Sequence, residues 1–257
     1  MPHYSQSTTI TPSTSKLDYI EALKEAVGPE GLRTLRPDEA KPPRIRRSAA
    51  ITSHLHRCCA CARRSAALGK GPAQTVNFAA FSNGYPRPGL ALLAANALND
   101  AAQEWNKLDL GIKFKWVEKI EDASFVLSYA GNQGDVLAEA FFPNEDDLSY
   151  LNVYLAAFQP GTVQCLKNIF LHELGHVLGF RHEFAAELEK EEESVQLGPR
   201  NPLSVMGYEF PPQIQTTDVE SEKAFYKFPG ASLGWQEARI PSSSKRKPMP
   251  IKDCAAR

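Results

Sequence analysis

The chain has 257 residues, 42% hydrophobic and 23% charged, and its 29 basic and 30 acidic side chains nearly cancel to a formal net charge of -1. That composition excludes a wholly disordered chain, and the charge balance speaks against a dedicated nucleic-acid binder, which carries a basic excess. No stretch reaches the ~18 apolar residues of a membrane span and the first residues form no signal region, so neither a membrane anchor nor a secretory leader is expected.

Residues 1–16 are rich in Ser and Thr and are expected to be disordered. Leu17, Ile20, Leu23 and Val27 then fall at helical spacing before Gly28-Pro29, which predicts a short amphipathic helix. Residues 36–74 carry Pro37, Pro42, Pro43 and Pro72 with no sustained period, the texture of a linker or prosegment. Cys58, Cys59 and Cys61 crowd into that segment, while Cys165 and Cys254 stand alone, so the five cysteines do not read as a disulfide framework.

From Thr75 the texture becomes an alternation of strands and helices. A strand is expected at 75–81 and a turn at Asn83-Gly84-Tyr85-Pro86. Leu90, Leu93, Ala94, Ala97, Leu98, Ala101, Trp105 and Leu108 repeat with the helical period and predict a long amphipathic helix. Further strands are expected at 112–117, 124–129, 136–142 and 150–158, then a helix at 165–180. An acidic run at 183–193 and a loop at 198–202 follow. Thr217-Asp-Val-Glu220 reads as a capping box opening a last helix that ends near Tyr226-Lys227, and the tail from Ile240 is expected to be unstructured.

The chemistry is concentrated in one stretch, His172-Glu173-Leu174-Gly175-His176-Val177-Leu178-Gly179-Phe180-Arg181-His182. On a helix His172 and His176 lie one turn apart on the same face, so both imidazoles reach one metal ion. Gly179, lacking a Cβ, is where the helix can turn sharply back and bring His182 in as third ligand. Three neutral imidazoles leave a fourth tetrahedral position for water, the arrangement of a catalytic zinc site. Glu173 neighbours His172 and can act as general base toward that water. A bare HExxH often marks nothing more than a solvated helix face, but the extended pattern is expected by chance in a chain of this size only on the order of once in 10⁵.

With Ser204-Val205-Met206-Gly207-Tyr208 downstream, these residues resemble the metzincin zinc endopeptidases over about residues 74–230. The resemblance implies that Met206 sits in a tight turn beneath the zinc. Gly179-Phe180-Arg181-His182-Glu183 with Met206-x-Tyr208 is similar to the astacin branch, which implies Tyr208 as switchable ligand or oxyanion donor and Glu183 as contact for a mature N-terminus. Residues 134–143 are similar to the matrixin edge strand, which implies that Val136, Leu137, Ala138, Glu139 and Ala140 hold an extended substrate by strand addition. Glu139 stands where matrixins have a histidine for a structural zinc, and no calcium loop is found, so one catalytic zinc is the only metal expected. The astacin disulfides are not expected either, because residues 75–230 hold only Cys165. Latent metzincins put a prosegment ligand on the zinc. For Cys58, Cys59 and Cys61 three readings stay open: a thiol latch, an adventitious metal or redox cluster, or a basic segment with no specific role.

The expected architecture is α+β: a twisted, mostly parallel five-stranded mixed sheet with an antiparallel edge, two long helices, and a smaller C-terminal subdomain carrying the Met206 turn. The expected division is a leader over 1–73, a catalytic domain over 74–230 and a tail over 231–257. The expected activity is zinc-dependent endopeptidase, with a peptide or protein substrate, no nucleic-acid or membrane partner, and a monomeric state. The competing reading is a catalytically silent zinc-containing module that binds peptide or glycan; Glu173, which such a module would be expected to lose, speaks against it. Residues 41–70 as a nucleic-acid contact is weaker still, because the segment has no aromatic to stack on a base. Location is left open, since the resemblance implies secretion and no signal is visible. The net charge is itself a cancellation: residues 41–70 hold eight Lys or Arg and no acid, while residues 183–193 hold six Glu against Lys190. Their plainer reading is two solvated stretches, since exposed pairs contribute little; an attraction holding the leader across the cleft is the alternative.

Overall fold

Val76, Phe78 and Ala80 alternate inward along the first strand, and their neighbours in space repeat that pattern, so the sequence builds a sheet with one face against helices. A computed structural model describes residues 20, 34–37, 74–144, 146–185 and 197–227. The helix expected around Ile20, the cysteines at 58, 59 and 61, most of the acidic run and the C-terminal tail lie outside the described residues.

Five strands form the sheet: β1 (Gln74–Ala80), β2 (Ile112–Trp116), β3 (Phe125–Tyr129), β4 (Ala138–Glu139) and β5 (Ser149–Val153). Their order is β2-β1-β3-β5-β4. Four strands are parallel, and β4 pairs antiparallel with β5 at the edge through Ala138–Val153 and Glu139–Asn152. Helix α1 (Leu90–Lys107) follows β1, and helix α2 (Leu166–Val177) follows β5. The buried stripe of α1 is mostly small, with Ala91, Ala94, Ala95, Ala101 and Ala102, so α2 packs closely along it. Trp105 closes the stripe and donates its indole N–H to the Leu171 carbonyl of α2 at 3.0 Å, in the interior. Helix α3 (Thr216–Lys227) comes last among the described residues. Among the described residues no helix is long and apolar enough to cross a membrane.

The mixed sheet with its antiparallel edge is as expected, but several elements are shorter. The strand expected at 136–142 pairs only over Ala138–Glu139. Phe141 and Phe142 turn away to pack on Phe125 and His176, at centroid distances of 5.5 and 5.1 Å, and Pro143 has no N–H to give a ladder. The strand expected at 150–158 stops at Val153, and Leu155–Phe158 curl into a 3-10 turn whose first N–H reaches Gly131. The helix expected to 180 ends at Val177 because Gly179 takes φ 93°. There Phe180 N–H bonds Gly175 C=O and Gly179 N–H bonds His176 C=O, a Schellman closure. The capping box expected at Thr217 and Glu220 does not form, because α3 already begins at Thr216; instead the Asp218 carboxylate accepts the N–H of the preceding Gln215 at 2.8 Å, one half of such a box.

Candidate metal centre and cleft

His172 and His176 project from the same side of α2, and the chain reversal at Gly179 carries His182 back toward them. The ring centroids of the three lie 4.8–5.1 Å apart, and their candidate ligand atoms all fall within 4.8 Å of one another. Among the described residues this is the one group of three or more His, Cys, Asp or Glu placed to hold a metal ion.

The outer nitrogens fix the tautomers. His172 Nδ1 lies 2.8 Å from the Val205 carbonyl and His176 Nδ1 lies 2.8 Å from the Phe180 carbonyl. A carbonyl only accepts, so each Nδ1 carries the proton and each Nε2 presents a lone pair inward. The His172 and His182 Nε2 atoms come within 3.2 Å, and the buried His176 Nε2 has no hydrogen-bond partner. A buried acceptor left bare is costly, and a metal ion is the partner this donor set fits. Burial, foremost, and the neighbouring imidazole of His182 push His172 down to about 3, against the raising effect of its Val205 bond. His176 is held well below its ordinary value, again mainly by burial. Both rings are therefore neutral at pH 7, the form that ligates.

Glu173 is buried and lines a solvent-open cleft of about 560 Å³ together with His172 and His182. One wall of that cleft is the edge of the sheet, Val136, Leu137 and Ala138; the other is the loop that carries Tyr208 and Phe210. The Tyr208 ring lies 5.4 Å from His182 and stacks on Phe184. Glu139 points along β5 instead, where it accepts a hydrogen bond from Asn152 at 2.7 Å. Ala140 follows directly where the chain leaves the ladder. Glu183 binds within the C-terminal half: its carboxylate accepts the Asn201 N–H and its own N–H reaches the Met206 carbonyl.

Met206 is buried beneath α2. A Cβ at Gly175 would overlap its Sδ and lie 3.2 Å from its Cε, so the glycine inside the helix is what admits the methionine. The turn Ser204–Gly207 is closed by the Gly207 N–H on the Ser204 carbonyl, at 2.8 Å, and Met206 N–H takes the Ser204 hydroxyl. Asp218 supports it from α3: one carboxylate oxygen accepts both the Val205 and the Gln215 N–H at 2.8 Å. Val205 thus links an α3 carboxylate to the orientation of His172. Sequence reasoning singled out neither Gly175 nor Asp218. For Gly175 a signal existed, since a glycine inside an apolar helix costs about 1 kcal/mol and calls for a packing reason.

Residues 70–185, less than half of the chain, match a family described as dual-action HEIGH metallo-peptidases. The match spans α2 and all three histidines and stops short of Met206 and Tyr208. The five letters of that description correspond here to His172-Glu173-Leu174-Gly175-His176, with Leu in place of Ile. Comparison with curated proteins finds no match.

Proposed function

We propose that this chain is a zinc-dependent metalloendopeptidase of metzincin type, with residues 74–230 as its catalytic unit, 1–73 as a leader and 231–257 as a tail. The observation that carries this reading is the convergence of three inward-facing imidazoles and a buried glutamate in a cleft walled by a sheet edge. One zinc ion held by His172, His176 and His182 would supply a Lewis acid that acidifies a water and polarises the scissile carbonyl. Glu173 takes the proton of the attacking water and hands it to the leaving amine. Tyr208 donates its hydroxyl to the oxygen that gains charge as the carbonyl carbon becomes tetrahedral. Met206, packed under α2, floors the histidine cluster.

Substrate is positioned by the sheet. The Leu137 carbonyl accepts the Tyr154 N–H, so in an antiparallel ladder the backbone groups of Ala138 face the open side. An extended peptide adding there runs along the cleft past the histidines, with Val136 and Ala138 beneath it. Specificity is expected from the loop that bears Tyr208 and Phe210.

The test is zinc analysis and a peptide-library cleavage assay on wild type and Glu173→Gln. The variant should keep its zinc and lose about 10²–10⁴-fold in kcat/KM. A wild type that binds zinc yet cleaves no faster than the variant would establish the silent binding module instead.

A further inference from the structure

Only one face of the sheet is covered by α1 and α2. Phe125 and Leu127 of β3 and Leu151 and Val153 of β5 point into that helix-backed core. Side chains alternate along a strand, so Val126 and Tyr150 point the other way. On this back face they form a second apolar cluster with Phe81, Ile120 and Leu148. The residue that seals the cluster is Ile20, far upstream of β1 and 1% exposed.

A second anchor lies at 34–36. Beyond Trp116, β2 no longer runs beside β1, and Thr34–Leu35 takes up the vacated side: Thr34 bridges antiparallel to Phe81 and Leu35 N–H donates to the Ala80 carbonyl at 2.8 Å. The Thr34 hydroxyl donates to the Glu118 carbonyl, and Arg36 pairs with the Glu118 carboxylate at 2.9 Å. Leu35 itself is buried in the main core. One upstream segment therefore contributes to the apolar clusters on both faces of the sheet, and its Ile20 anchor lies on the face opposite α2 and its histidines.

We infer that the back face of the sheet is a docking surface for the chain's own N-terminal segment, which is a structural clasp of the catalytic unit and not a removable block on the cleft. The chemistry of the contact fits retention: apolar side chains sealed from water plus backbone pairing persist at salt concentrations that dissolve exposed charge pairs. A cut anywhere between 38 and 73 leaves the clasp in place.

The full chain carrying a specific protease site between residues 41 and 70 tests this. After the cut, the N-terminal fragment should co-elute with the remainder in gel filtration at high salt, and peptide hydrolysis should not change. Ile20→Asp should release the fragment. Ile20→Ala, the milder variant in the uncut chain, should lower Tm by at least about 5 °C. Spontaneous separation of the wild-type fragments, hydrolysis that rises on cutting, or an Ile20→Ala chain that melts with wild type would each overturn the inference.

Discussion

The two halves of the histidine cluster are held by different physics. His172 and His176 ride on α2, whose apolar side is buried against the small-residue stripe of α1 and pinned by the Trp105 indole. His182 and Met206 lie in the described stretches 178–185 and 197–215, which are mostly turns, although Leu178, Val205 and Met206 still reach the core. The turns there are tied to one another by single hydrogen bonds: Asn201 N–H on the Glu183 carboxylate, Glu183 N–H on the Met206 carbonyl, and Val205 N–H on the Asp218 carboxylate. Dispersed packing tolerates loss of one contact, whereas a polar clamp fails when one acceptor is removed. The metal centre should accordingly be most fragile on its loop side.

The largest effect is expected at Asp218. Asp218→Ala strands the buried Val205 N–H, which costs about 1–3 kcal/mol, and frees the carbonyl that orients His172. Removing such an outer support of a metal-bound imidazole typically weakens binding about 10–100-fold. Zinc titration against a competing chelator measures it, and an unchanged affinity would show that Val205 is held by its own turn.

A pair of glycine substitutions compares the halves directly. A Cβ at Gly207 would lie 2.7 Å from the Pro202 carbonyl oxygen and 2.9 Å from that of Ser204, both backbone atoms of the loop. A Cβ at Gly175 meets mainly the end of the Met206 side chain, which can swing aside. Gly207→Ala should therefore lose about 1–3 kcal/mol, while Gly175→Ala should be nearly neutral, helix propensity offsetting the displaced methionine. Thermal melts rank the two, and Gly175→Ala should shift the Met206 methyl resonance. Equal losses would mean that Met206 is as rigid as backbone.

The same division decides what could be read from the sequence. Spacing within α2 and the period of α1 are local, so the placing of His172 and His176 on one helix face and the long helix were legible, as were the apolar runs of β1, β2 and β3. The turn at Gly179 was legible because only glycine readily takes its left-handed φ. The length of β4 was not, since Phe141 and Phe142 satisfy the strand period yet are drawn to Phe125 and His176 by packing. Nor was Asp218, because its bond to Val205 joins a helix start to a turn whose shape no local pattern specifies. Residues 36–74 read as linker or prosegment, yet Leu35, just ahead of them in a polar stretch, is a core residue, as is Ile20 of the predicted amphipathic helix.

A last expected effect concerns pH, and it acts on the loop side without touching any of the three histidines. Glu222 lies one turn beyond Asp218 on α3, is buried, and has a carboxylate oxygen with no hydrogen-bond partner. Burial first, and the nearby Asp218 second, push its carboxyl up to about 9 from an ordinary 4.5. Unfolded, the group loses its proton near 4.5; folded, it keeps it to about 9, so across that window the folded state binds the extra proton and rising pH favours unfolding. Glu222→Gln cannot titrate. Its Tm relative to wild type should therefore climb steadily from about pH 5 to about pH 9 and level off above, where the wild-type carboxylate is ionised in both states. Because Asp218 is the neighbour that ionised Glu222 would repel, the wild-type Val205 amide should also exchange faster with solvent as pH rises, after correction for intrinsic exchange, than the amides of α2 do. Parallel melting curves for variant and wild type would show that Glu222 reaches water and that the clamp behind His172 is insensitive to it.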